Sequence, residues 1–327
     1  MERIAIIGAG ISGLTLASAL ASSAQVTVFE KARGVGGRMS TRYAPPYSFD
    51  HGTQFFTARD PSFQHHISPL IEKGLIAPWT GKVISLAAEQ PTTDRLWFEP
   101  HYVAVPNMNS LCKSMAEGLQ VLCNVEVAPL PQKDRDGWHL TNKNGALLGI
   151  FDWVVSTAPP AQTIALFEPH LASDHALRQV RLHGCYAIMI GFNKPWKKSW
   201  IGAKIQHSPL EWVAVNSTKP GRDKTVTSVV AHTTSTWAEE HINDDMEHAE
   251  LLLRQEFERV TKIDTRDADY FSCHRWRYAV VDTTQQCEAF VDPALSLASS
   301  GDWCSVSRIE DAWLKALELA ERIKEHC

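Results

Sequence analysis

The sequence of 327 residues lacks several features that would each indicate a particular class of protein. No stretch carries five like charges in a row, and the formal net charge is −5, so a nucleic-acid-binding surface is not expected. No apolar run reaches the roughly 18 residues of a membrane-spanning helix, so no membrane partner is expected. Internal repeats and low-complexity segments are also missing, which excludes repeat proteins and wholly disordered chains.

Cysteine is sparse and follows no recognisable pattern. The residues include no C-x-x-C pair and no cysteine–histidine cluster, so neither a disulfide framework nor a metal site is expected. They are Cys112, Cys123, Cys185, Cys273, Cys287, Cys304 and Cys327. The uncharged segment 4–29 contains Ala17-Ser18-Ala19 and so mimics a signal peptide, but glycines interrupt it. Reduced, mostly buried thiols in a cytoplasmic protein are therefore expected.

Residues 3–30 carry the pattern of a strand, a helix and a second strand. Apolar residues 4–7 end at Gly8, residues 11–21 have helix-forming composition, and residues 26–29 end at Glu30. Between the first strand and the helix stands the G-x-G-x-x-G loop Gly8-Ala9-Gly10-Ile11-Ser12-Gly13. A simple turn between two packed elements could have this sequence. The acid at the end of the second strand favours a dinucleotide-binding loop instead.

Each part of this loop has a role in binding a dinucleotide. The first glycine permits a tight turn, the second lets the backbone approach a pyrophosphate, and the third lets helix and strand pack closely. Free N–H groups at the helix start bind phosphate oxygens. Glu30 is expected to accept hydrogen bonds from ribose hydroxyls and to repel a 2′-phosphate.

The rest of the chain alternates less regularly between helices and strands. Hydrophobic spacing predicts helices over 61–73, 108–118, 246–260 and 309–323, and strands over 82–102, 121–127, 186–192, 212–216, 225–232 and 295–299. Segments 138–141 and 150–156 flank Asn144-Gly145, which predicts a β-hairpin. No second G-x-G-x-x-G stands between 140 and 327, so a separate NAD(P)H-binding domain is not expected.

Several later segments carry a further signal, and the first two, which follow Glu30, are not expected of a simple NAD dehydrogenase. They are Gly34-Val35-Gly36-Gly37-Arg38-Met39-Ser40-Thr41-Arg42, Phe49-Asp50-His51-Gly52-Thr53-Gln54-Phe55-Phe56-Thr57-Ala58-Arg59-Asp60, His274-Arg275-Trp276-Arg277-Tyr278-Ala279 and Gly301-Asp302-Trp303-Cys304. With these motifs in this order, the sequence resembles the flavin-containing amine oxidase superfamily, and within it the renalase-like branch. The resemblance covers essentially the whole chain.

The resemblance implies an α/β protein of two domains, a Rossmann-like FAD-binding domain and a substrate domain with a mostly antiparallel sheet. The expected FAD-binding domain is discontinuous and comprises 1–60, 101–160 and 285–327, whereas the substrate domain comprises 61–100 and 161–284. FAD should bind non-covalently, because no cysteine stands in the context used for flavin attachment.

The resemblance also implies which residues bind FAD. Gly36, Gly37 and Arg38 would run along the pyrophosphate, and the backbone of Val125 would meet the adenine. The start of the last helix at Ile309 would face the flavin ring and stabilise its reduced form. The complete expected set is Gly8, Gly10, Ile11, Ser12, Gly13, Glu30, Lys31, Gly36, Gly37, Arg38, Met39, Asp50, His51, Gly52, Val125, Gly301, Asp302, Arg308, Ile309 and Ala312. For Arg38 and Asp302 the alternative is a surface ion pair.

The closing motif departs from the family pattern. Glycines usual around Arg308 and before Ala312 are replaced by Ser305-Val306-Ser307 and Asp311, and Lys315-Ala316 replaces a pair of small residues. Asn107 also stands where a glycine is usual. Asp311 would oppose the positive end of the helix unless its side chain points to solvent.

The resemblance places the substrate pocket at the flavin. The candidate pocket residues are Gln54, Asn216, His232, Trp276 and Tyr278. Aromatic rings can hold a planar substrate, although core packing would also explain Trp276 and Tyr278, and a structural role would explain His232. The loop Lys219-Pro220-Gly221-Arg222-Asp223-Lys224 could touch nucleotide phosphates, or could be a solvated turn.

The expected activity is hydride transfer from a small-molecule substrate to flavin N5, with O2 as acceptor and H2O2 as product. For the renalase-like branch the substrates are aberrant dihydro isomers of NAD(P), the 2- and 6-dihydro forms. Two alternatives stay open at this point: oxidation of a small amine, and a non-catalytic FAD-binding protein.

Overall fold

The computed structural model describes residues 1–89 and 92–326, and the chain divides into two compact units. Unit 1 comprises Met1–Arg38, Cys112–Leu182 and Val280–Cys327, and unit 2 comprises Met39–Leu111 and His183–Ala279. Within the described residues the helices are α1 (Ile11–Leu20), α2 (Pro61–Glu72), α3 (Asn109–Met115), α4 (Pro160–Phe167), α5 (Ser235–His241), α6 (Met246–Thr261) and α7 (Ile309–Lys324).

The strands of the described residues follow in chain order. They are β1 (Arg3–Ile7), β2 (Gln25–Glu30), β3 (Arg42–Ala44), β4 (Tyr47–Phe49), β5 (Ile76–Pro78), β6 (Lys82–Leu86), β7 (Thr93–Arg95), β8 (Tyr102–Ala104), β9 (Gln120–Cys123), β10 (Trp138–Thr141), β11 (Leu147–Phe151), β12 (Trp153–Ser156), β13 (Leu182–Phe192), β14 (Trp200–Ile205), β15 (Leu210–Val215), β16 (Thr227–Thr233), β17 (Tyr270–Val281), β18 (Phe290–Asp292) and β19 (Leu297–Ser299).

Unit 1 is built on a sheet with the strand order β18-β19-β12-β1-β2-β9. All neighbours are parallel except β18, which pairs antiparallel with β19. The central strand β1 buries Ile4, Ala5 and Ile6 completely, as expected for a parallel strand covered on both faces. The predicted β-α-β unit at the start of the chain is confirmed.

Unit 2 is built on a sheet with the order β17-β13-β16-β15-β14-β6-β7. Strand β16 pairs antiparallel with β13 and with β15, as do β14 with β15 and β6 with β7, whereas β14 and β6 are parallel. One face packs Ile188 and Ile190 against Leu253 and Phe257 of α6. Residues on the opposite face include Met189 and Val230, which pack with Tyr47 and Phe49. The predicted fold class, a Rossmann-like domain with a second, mostly antiparallel domain, is confirmed.

Some predicted elements were wrong in detail. The strand after the Asn144-Gly145 turn is β11, whereas residues 153–156 form a separate parallel strand, β12. The prediction joined 150–156 into one strand, whereas the chain leaves one sheet and enters the other at Asp152. Helices α4 and α5 and strand β14 were not predicted. Of the predicted region 82–102, residues 90 and 91 lie outside the described residues, as does Cys327.

The unit boundaries differ from the expected domain boundaries mainly in two segments. Residues 39–60 belong to unit 2, because Tyr47 and Phe49 pack in its core. Residues 161–182 belong to unit 1, because Leu166 and Leu177 pack in its core. Among the described residues, no helix combines the length and apolar character needed to cross a membrane.

Candidate functional site

Two glycines of the loop after β1, Gly8 and Gly13, occupy positions that admit no side chain. Gly8 has a φ of +110°, and a Cβ there would lie 2.8 Å from Thr157 Oγ1. A Cβ on Gly13 would lie 1.9 Å from the carbonyl oxygen of Gly8. The first glycine therefore makes the turn and the third allows α1 to approach the strand, as the sequence pattern predicts.

Gly10 has a different environment from its neighbours. A Cβ on Gly10 would have no atom within 4 Å, so the loop is open on this side. Gly10 is also the N-cap of α1, and no side chain caps this helix start. Uncapped N–H groups beside open space form an anion-binding site. The loop therefore fits the pyrophosphate of a dinucleotide, with Ile11 and Ser12 at the helix start.

Glu30 lies at the end of β2, beside this loop. Its carboxylate accepts hydrogen bonds from the backbone N–H groups of Ala9 at 2.9 Å and Ala32 at 2.8 Å. The backbone carbonyl of Glu30 accepts the N–H of Val125 at 2.9 Å. A carboxylate has lone pairs for further donors, so a ribose hydroxyl can join these contacts. The neighbouring Lys31 donates to Gln162 at 3.1 Å.

The segment 36–38 lies against the phosphate loop. Gly36 donates its N–H to the carbonyl of Ala9 at 2.8 Å, and a Cβ on Gly37 would lie 3.4 Å from the Gly10 Cα. Arg38 reaches Asp302, with Nη2 and Oδ1 2.5 Å apart. The two residues expected to bind FAD are thus brought together, and the half-buried Arg38 lies where it can offset phosphate charge.

The last helix begins at Ile309, as predicted. Arg308 donates its backbone N–H to the carboxylate of Asp311 at 3.2 Å. Asp311 therefore caps its own helix instead of pointing only to solvent, and an effect of its charge on flavin binding stays a prediction. Ser12 donates to the carbonyl of Ala312 at 3.2 Å, which ties α1 to α7. Gly301 stands just before Asp302, after β19.

Asp50 in unit 2 is the centre of a buried ionic cluster. Its side chain is 0% exposed and accepts hydrogen bonds from Lys219 at 3.1 Å and Arg222 at 2.6 Å. The Thr41 hydroxyl and the Met108 N–H bind the other oxygen at 2.8 and 3.0 Å. Burial alone would raise the pKa of Asp50, but the two cations outweigh it and hold the pKa at about 2. The carboxylate of Asp50 therefore already binds protein groups through both oxygens. The predicted contact of Asp50 with FAD would have to come from its backbone, and it stays a prediction.

The loop 219–224 is not the surface feature that was expected. Lys219 and Arg222 are buried and bind Asp50, so neither a solvated turn nor a phosphate-binding loop describes these two residues. Burial lowers the pKa of Lys219 to about 8, with a smaller contribution from the positive charge of Arg222, and Asp50 only partly opposes this shift. The sequence does contain a signal, since Lys219 and Arg222 are two basic residues in one short loop. Their partner Asp50 is 169 residues away from Lys219, so the sequence alone does not identify it.

Three of the five predicted pocket residues meet at one backbone segment. The Trp276 indole N–H and His232 Nε2 both bond to the carbonyl of His51 at 3.0 Å. Gln54 donates to the carbonyl of Gly52 at 3.0 Å and accepts from Lys219 at 3.4 Å. Segment 51–54 is therefore fixed, and so are the side chains around it.

Two histidines and a tryptophan form a wall of contacting rings, called here the aromatic wall. The His51 ring lies 5.2 Å from Trp276 and 4.9 Å from His274, centroid to centroid, and His274 lies 4.5 Å from Trp276. Burial lowers the pKa of His51 to about 3 and those of His274 and His232 to about 4. All three histidines are therefore neutral near pH 7.

The other two predicted pocket residues have different positions. Asn216 is buried and its amide bonds to Ser48 at 2.9 Å and Asp50 at 3.4 Å, so it holds the backbone before the aromatic wall. Tyr278 is half-buried on β17, on the same face as Trp276 by the alternation of the strand. A role for either residue in substrate binding stays a prediction. Met39 is buried in unit 2.

The aromatic wall includes a residue that the sequence analysis did not select. His274 alternates with Trp276 and Tyr278 along β17, and this period of two was the signal available in the sequence.

Asp134, Asp136 and His139 also lie close enough to hold a cation, within 4.8 Å, but they are mostly exposed and bond to one another.

Two family descriptions match the chain. One is an NAD(P)-binding Rossmann-like domain over residues 6–72, and the other is a flavin containing amine oxidoreductase over residues 85–324. Among solved structures, cyclohexylamine oxidase from Brevibacterium oxydans IH-35A aligns with a TM-score of 0.75 at 14% identity over 99% of both chains. A putrescine oxidase bound to putrescine aligns with a TM-score of 0.75 at 13% identity over 99% of both chains. These similarities show a shared fold.

A curated relative shares a much shorter segment. It is 4,4'-diapophytoene desaturase from Staphylococcus aureus (strain Newman), 47% identical over 51 residues. The match covers 15% of this chain and 10% of the relative's length, so the chain spans only a tenth of that relative. The match over residues 85–324, by contrast, covers more than half of the chain. The chain therefore belongs to the flavin-containing amine oxidoreductase family and is an oxidoreductase with FAD as its cofactor.

Proposed function

We propose that this protein is an FAD-dependent oxidase of the renalase type, which converts the 2- and 6-dihydro isomers of NAD(P) to NAD(P)+. The supporting observation is the aromatic wall, in which two neutral histidines and Trp276 present flat, uncharged rings. Within residues 1–89 and 92–326, no carboxylate forms a hydrogen bond with these rings. A flat substrate ring that needs no acid or base is the natural ligand of such a wall.

The chemistry requires positioning more than proton transfer. A dihydropyridine ring already carries a C–H bond that donates a hydride, so no proton must be removed first. When bound, FAD supplies N5 as the hydride acceptor and passes the electron pair to O2. In the net reaction, the dihydro isomer, O2 and one proton give NAD(P)+ and H2O2, so atoms and electrons balance. Neutral histidines are consistent with this requirement.

The residues of the aromatic wall can orient a ring because they are themselves fixed. The Trp276 indole is tied to the His51 carbonyl, and His232 is tied to the same oxygen. Gln54 holds the next turn of the segment through Gly52. A rigid wall restricts the substrate ring to few orientations and keeps water from it, which favours hydride transfer.

A second candidate function is the oxidation of a small amine. The family itself favours it, as do the names of the solved neighbours putrescine oxidase and cyclohexylamine oxidase. Trp276 and Tyr278 could supply the aromatic pair that flanks a neutral amine. The non-catalytic alternative stays open, because the capping contact keeps the negative charge of Asp311 at the start of the last helix.

We also propose that the reaction takes place in the cytoplasm. The six cysteines of the described residues, Cys112, Cys123, Cys185, Cys273, Cys287 and Cys304, are free thiols. Free thiols are usual in a reducing compartment. Burial raises the pKa of Cys112 to about 12, so its thiol is protonated and inert.

The test is an anaerobic titration of the purified, flavin-bound protein, followed by the visible absorbance of the flavin. One arm uses a borohydride-generated mixture of NADH isomers, and the other uses a panel of amines. We expect rapid bleaching by the isomer mixture alone. Trp276→Ala should slow bleaching by about tenfold, whereas Trp276→Phe, which keeps a flat ring, should slow it less.

Each other outcome points to a different function. Bleaching by an amine and not by the isomers would move the function to amine oxidation. Bound flavin that no candidate reduces would support a protein without turnover. Equal effects of Trp276→Ala and Trp276→Phe would mean that the ring face of Trp276 does not orient the substrate.

A further inference from the structure

Arg42 is a cation that the fold leaves without a partner. It is half-buried at the start of β3, and among the described residues its guanidinium has neither a hydrogen bond nor an ion pair. The nearby cations Lys219 and Arg222 both bind Asp50. A guanidinium offers five N–H donors, and unpaired donors that are partly withdrawn from water cost free energy. Arg42 is therefore free to bind an external acceptor.

The aromatic wall lies next to Arg42. Arg42 pairs with Phe49 in the antiparallel β3–β4 ladder, two residues before His51. After the larger effect of burial, its positive charge contributes to lowering the pKa of both His51 and His274. These two rings contact each other edge to face, with centroids 4.9 Å apart. His51 Nδ1 is buried and has no hydrogen-bond partner. Arg42 and the aromatic wall thus occupy the same part of unit 2.

The charges in this part of unit 2 do not cancel. Asp50 supplies one negative charge against the two positive charges of Lys219 and Arg222, and Arg42 adds a third positive charge. The negative charge of Glu211 raises the pKa of His232 slightly, but Glu211 is itself paired with Lys204. Asp50, Lys219, Arg222 and Arg42 together thus carry more positive than negative charge, which favours an anion over an ammonium group near them.

We propose that Arg42 binds a phosphate of the substrate and so selects phosphorylated dihydronicotinamides over neutral and cationic compounds. The dihydronicotinamide part of this assignment rests on the proposed function, whereas the anion-binding part rests on Arg42 and its surroundings. The planar guanidinium matches two phosphate oxygens at once, which a lysine cannot do. Arg42 is thus a specificity-determining residue, and the same charge disfavours a small cationic amine.

The experiment measures binding by isothermal titration calorimetry to the flavin-bound protein. The ligands are nicotinamide mononucleotide, which carries one phosphate, and nicotinamide riboside, which carries none. We expect the wild type to bind the mononucleotide about tenfold to a hundredfold more tightly, as for a charge-assisted hydrogen bond. Arg42→Gln should abolish this ratio and Arg42→Lys should restore part of it.

Arg277→Gln is the matched control. Arg277 is exposed on β17, on the opposite face from Trp276 by the alternation of the strand, and its guanidinium bonds to Asn243 at 3.2 Å. It should leave the preference for the mononucleotide unchanged. The flavin content of every variant is measured in parallel, because a phosphate of FAD is another possible ligand of Arg42. Loss of flavin in Arg42→Gln would assign the anion to the cofactor and overturn the proposal.

The remaining outcomes separate this proposal from the proposed function. An unchanged ligand ratio in Arg42→Gln would overturn the role of Arg42, even if dihydro isomers reduce the flavin. If no isomer reduces the flavin, the proposed function fails and inorganic pyrophosphate becomes the probe. Binding of pyrophosphate to the wild type and not to Arg42→Gln would then still support the anion site. Absence of binding to the wild type would overturn it.

Discussion

The Arg38–Asp302 pair of unit 1 and the Asp50 cluster of unit 2 differ sharply in burial. In unit 1, the Arg38 and Asp302 side chains are 31% and 8% exposed, next to an open glycine loop. In unit 2, the side chains of Lys219, Arg222 and Asp50 are at most 1% exposed. A partly exposed pair can exchange a partner for a ligand at low cost, whereas a buried cluster cannot lose its anion without leaving uncompensated charge. Similar residues thus have an architectural role in the buried cluster, whereas a binding role for Arg38 and Asp302 stays a prediction.

The largest loss of stability is expected from removing the negative charge of the buried cluster. Asp50→Asn leaves Lys219 and Arg222 buried without a negative charge. We expect the free energy of unfolding to fall by about 3–5 kcal/mol, because each buried cation loses its main compensation. Chemical denaturation of the purified variant measures this change.

Lys219→Met is the companion variant, because it separates the effect of charge balance from that of packing. It removes one of two cations and leaves Asp50 paired with Arg222, one charge of each sign. The loss of stability should therefore be smaller than for Asp50→Asn. Equal losses in the two variants would show that packing around the cluster, and not its charge balance, stabilises unit 2.

The second largest loss of stability is expected from a substitution in the glycine loop after β1. Gly13→Ala places a Cβ 1.9 Å from the Gly8 carbonyl oxygen, so the backbone must shift at a cost of up to about 3 kcal/mol. Gly10→Ala meets no protein atom within 4 Å and should leave the apoprotein stable. Its Cβ should nevertheless obstruct the pyrophosphate and reduce FAD retention.

The two glycine variants are compared by thermal unfolding of the apoprotein and by the flavin-to-protein ratio after gel filtration. Gly13→Ala should lower both the melting temperature and the flavin content, whereas Gly10→Ala should lower only the flavin content. Full flavin retention in Gly10→Ala would contradict the assignment of the open side of the loop to the pyrophosphate.

The third prediction concerns acid stability and the aromatic wall. His51 has a pKa of about 3 in the folded protein against an ordinary value of 6.5. Between these values the unfolded chain binds a proton that the folded chain does not, so stability falls as the pH is lowered from 6.5 towards 3. Close to pH 5 this slope approaches about 1.4 kcal/mol per pH unit for one such histidine.

Denaturant unfolding at several pH values measures the slope, and His51→Phe is the informative variant. Phenylalanine keeps the ring contacts with Trp276 and His274 but cannot bind a proton. The variant should lose part of the acid sensitivity and keep the part due to other groups with lowered pKa values, among them His232 and His274 at about 4. An unchanged slope would mean that His51 is protonated in the folded protein.

The phosphate loop was readable from sequence because all of its signals are local. Gly8, Gly10 and Gly13 stand within six residues, and Glu30 follows at the distance set by one helix and one strand. Turn geometry and close backbone packing demand glycine wherever they occur, so a short window contains the evidence. The start of the last helix at Ile309 was predictable for the same reason.

The substrate side was only partly readable because its contacts join distant segments. Trp276 bonds to His51 across 225 residues, and Lys219 bonds to Asp50 across 169. A basic loop rich in proline and glycine has the composition of a solvated turn, and only the buried acid from another segment makes it a core element. Arg42 belongs to the glycine-rich segment 34–42, but only the three-dimensional structure shows that its guanidinium has no hydrogen-bond or ion-pair partner among the described residues.

The smallest effect on stability is expected at the partly exposed pair. Asp302→Asn removes the acceptor of Arg38, and the free energy of unfolding should change by less than about 1 kcal/mol, because Arg38 can turn to solvent. FAD retention should fall, since Asp302 is expected to bind the ribityl chain or the pyrophosphate. The flavin-to-protein ratio and denaturant unfolding of the apoprotein measure the two effects separately. A stability loss as large as that of Asp50→Asn, with flavin content unchanged, would make this pair architectural too and remove the contrast between the units.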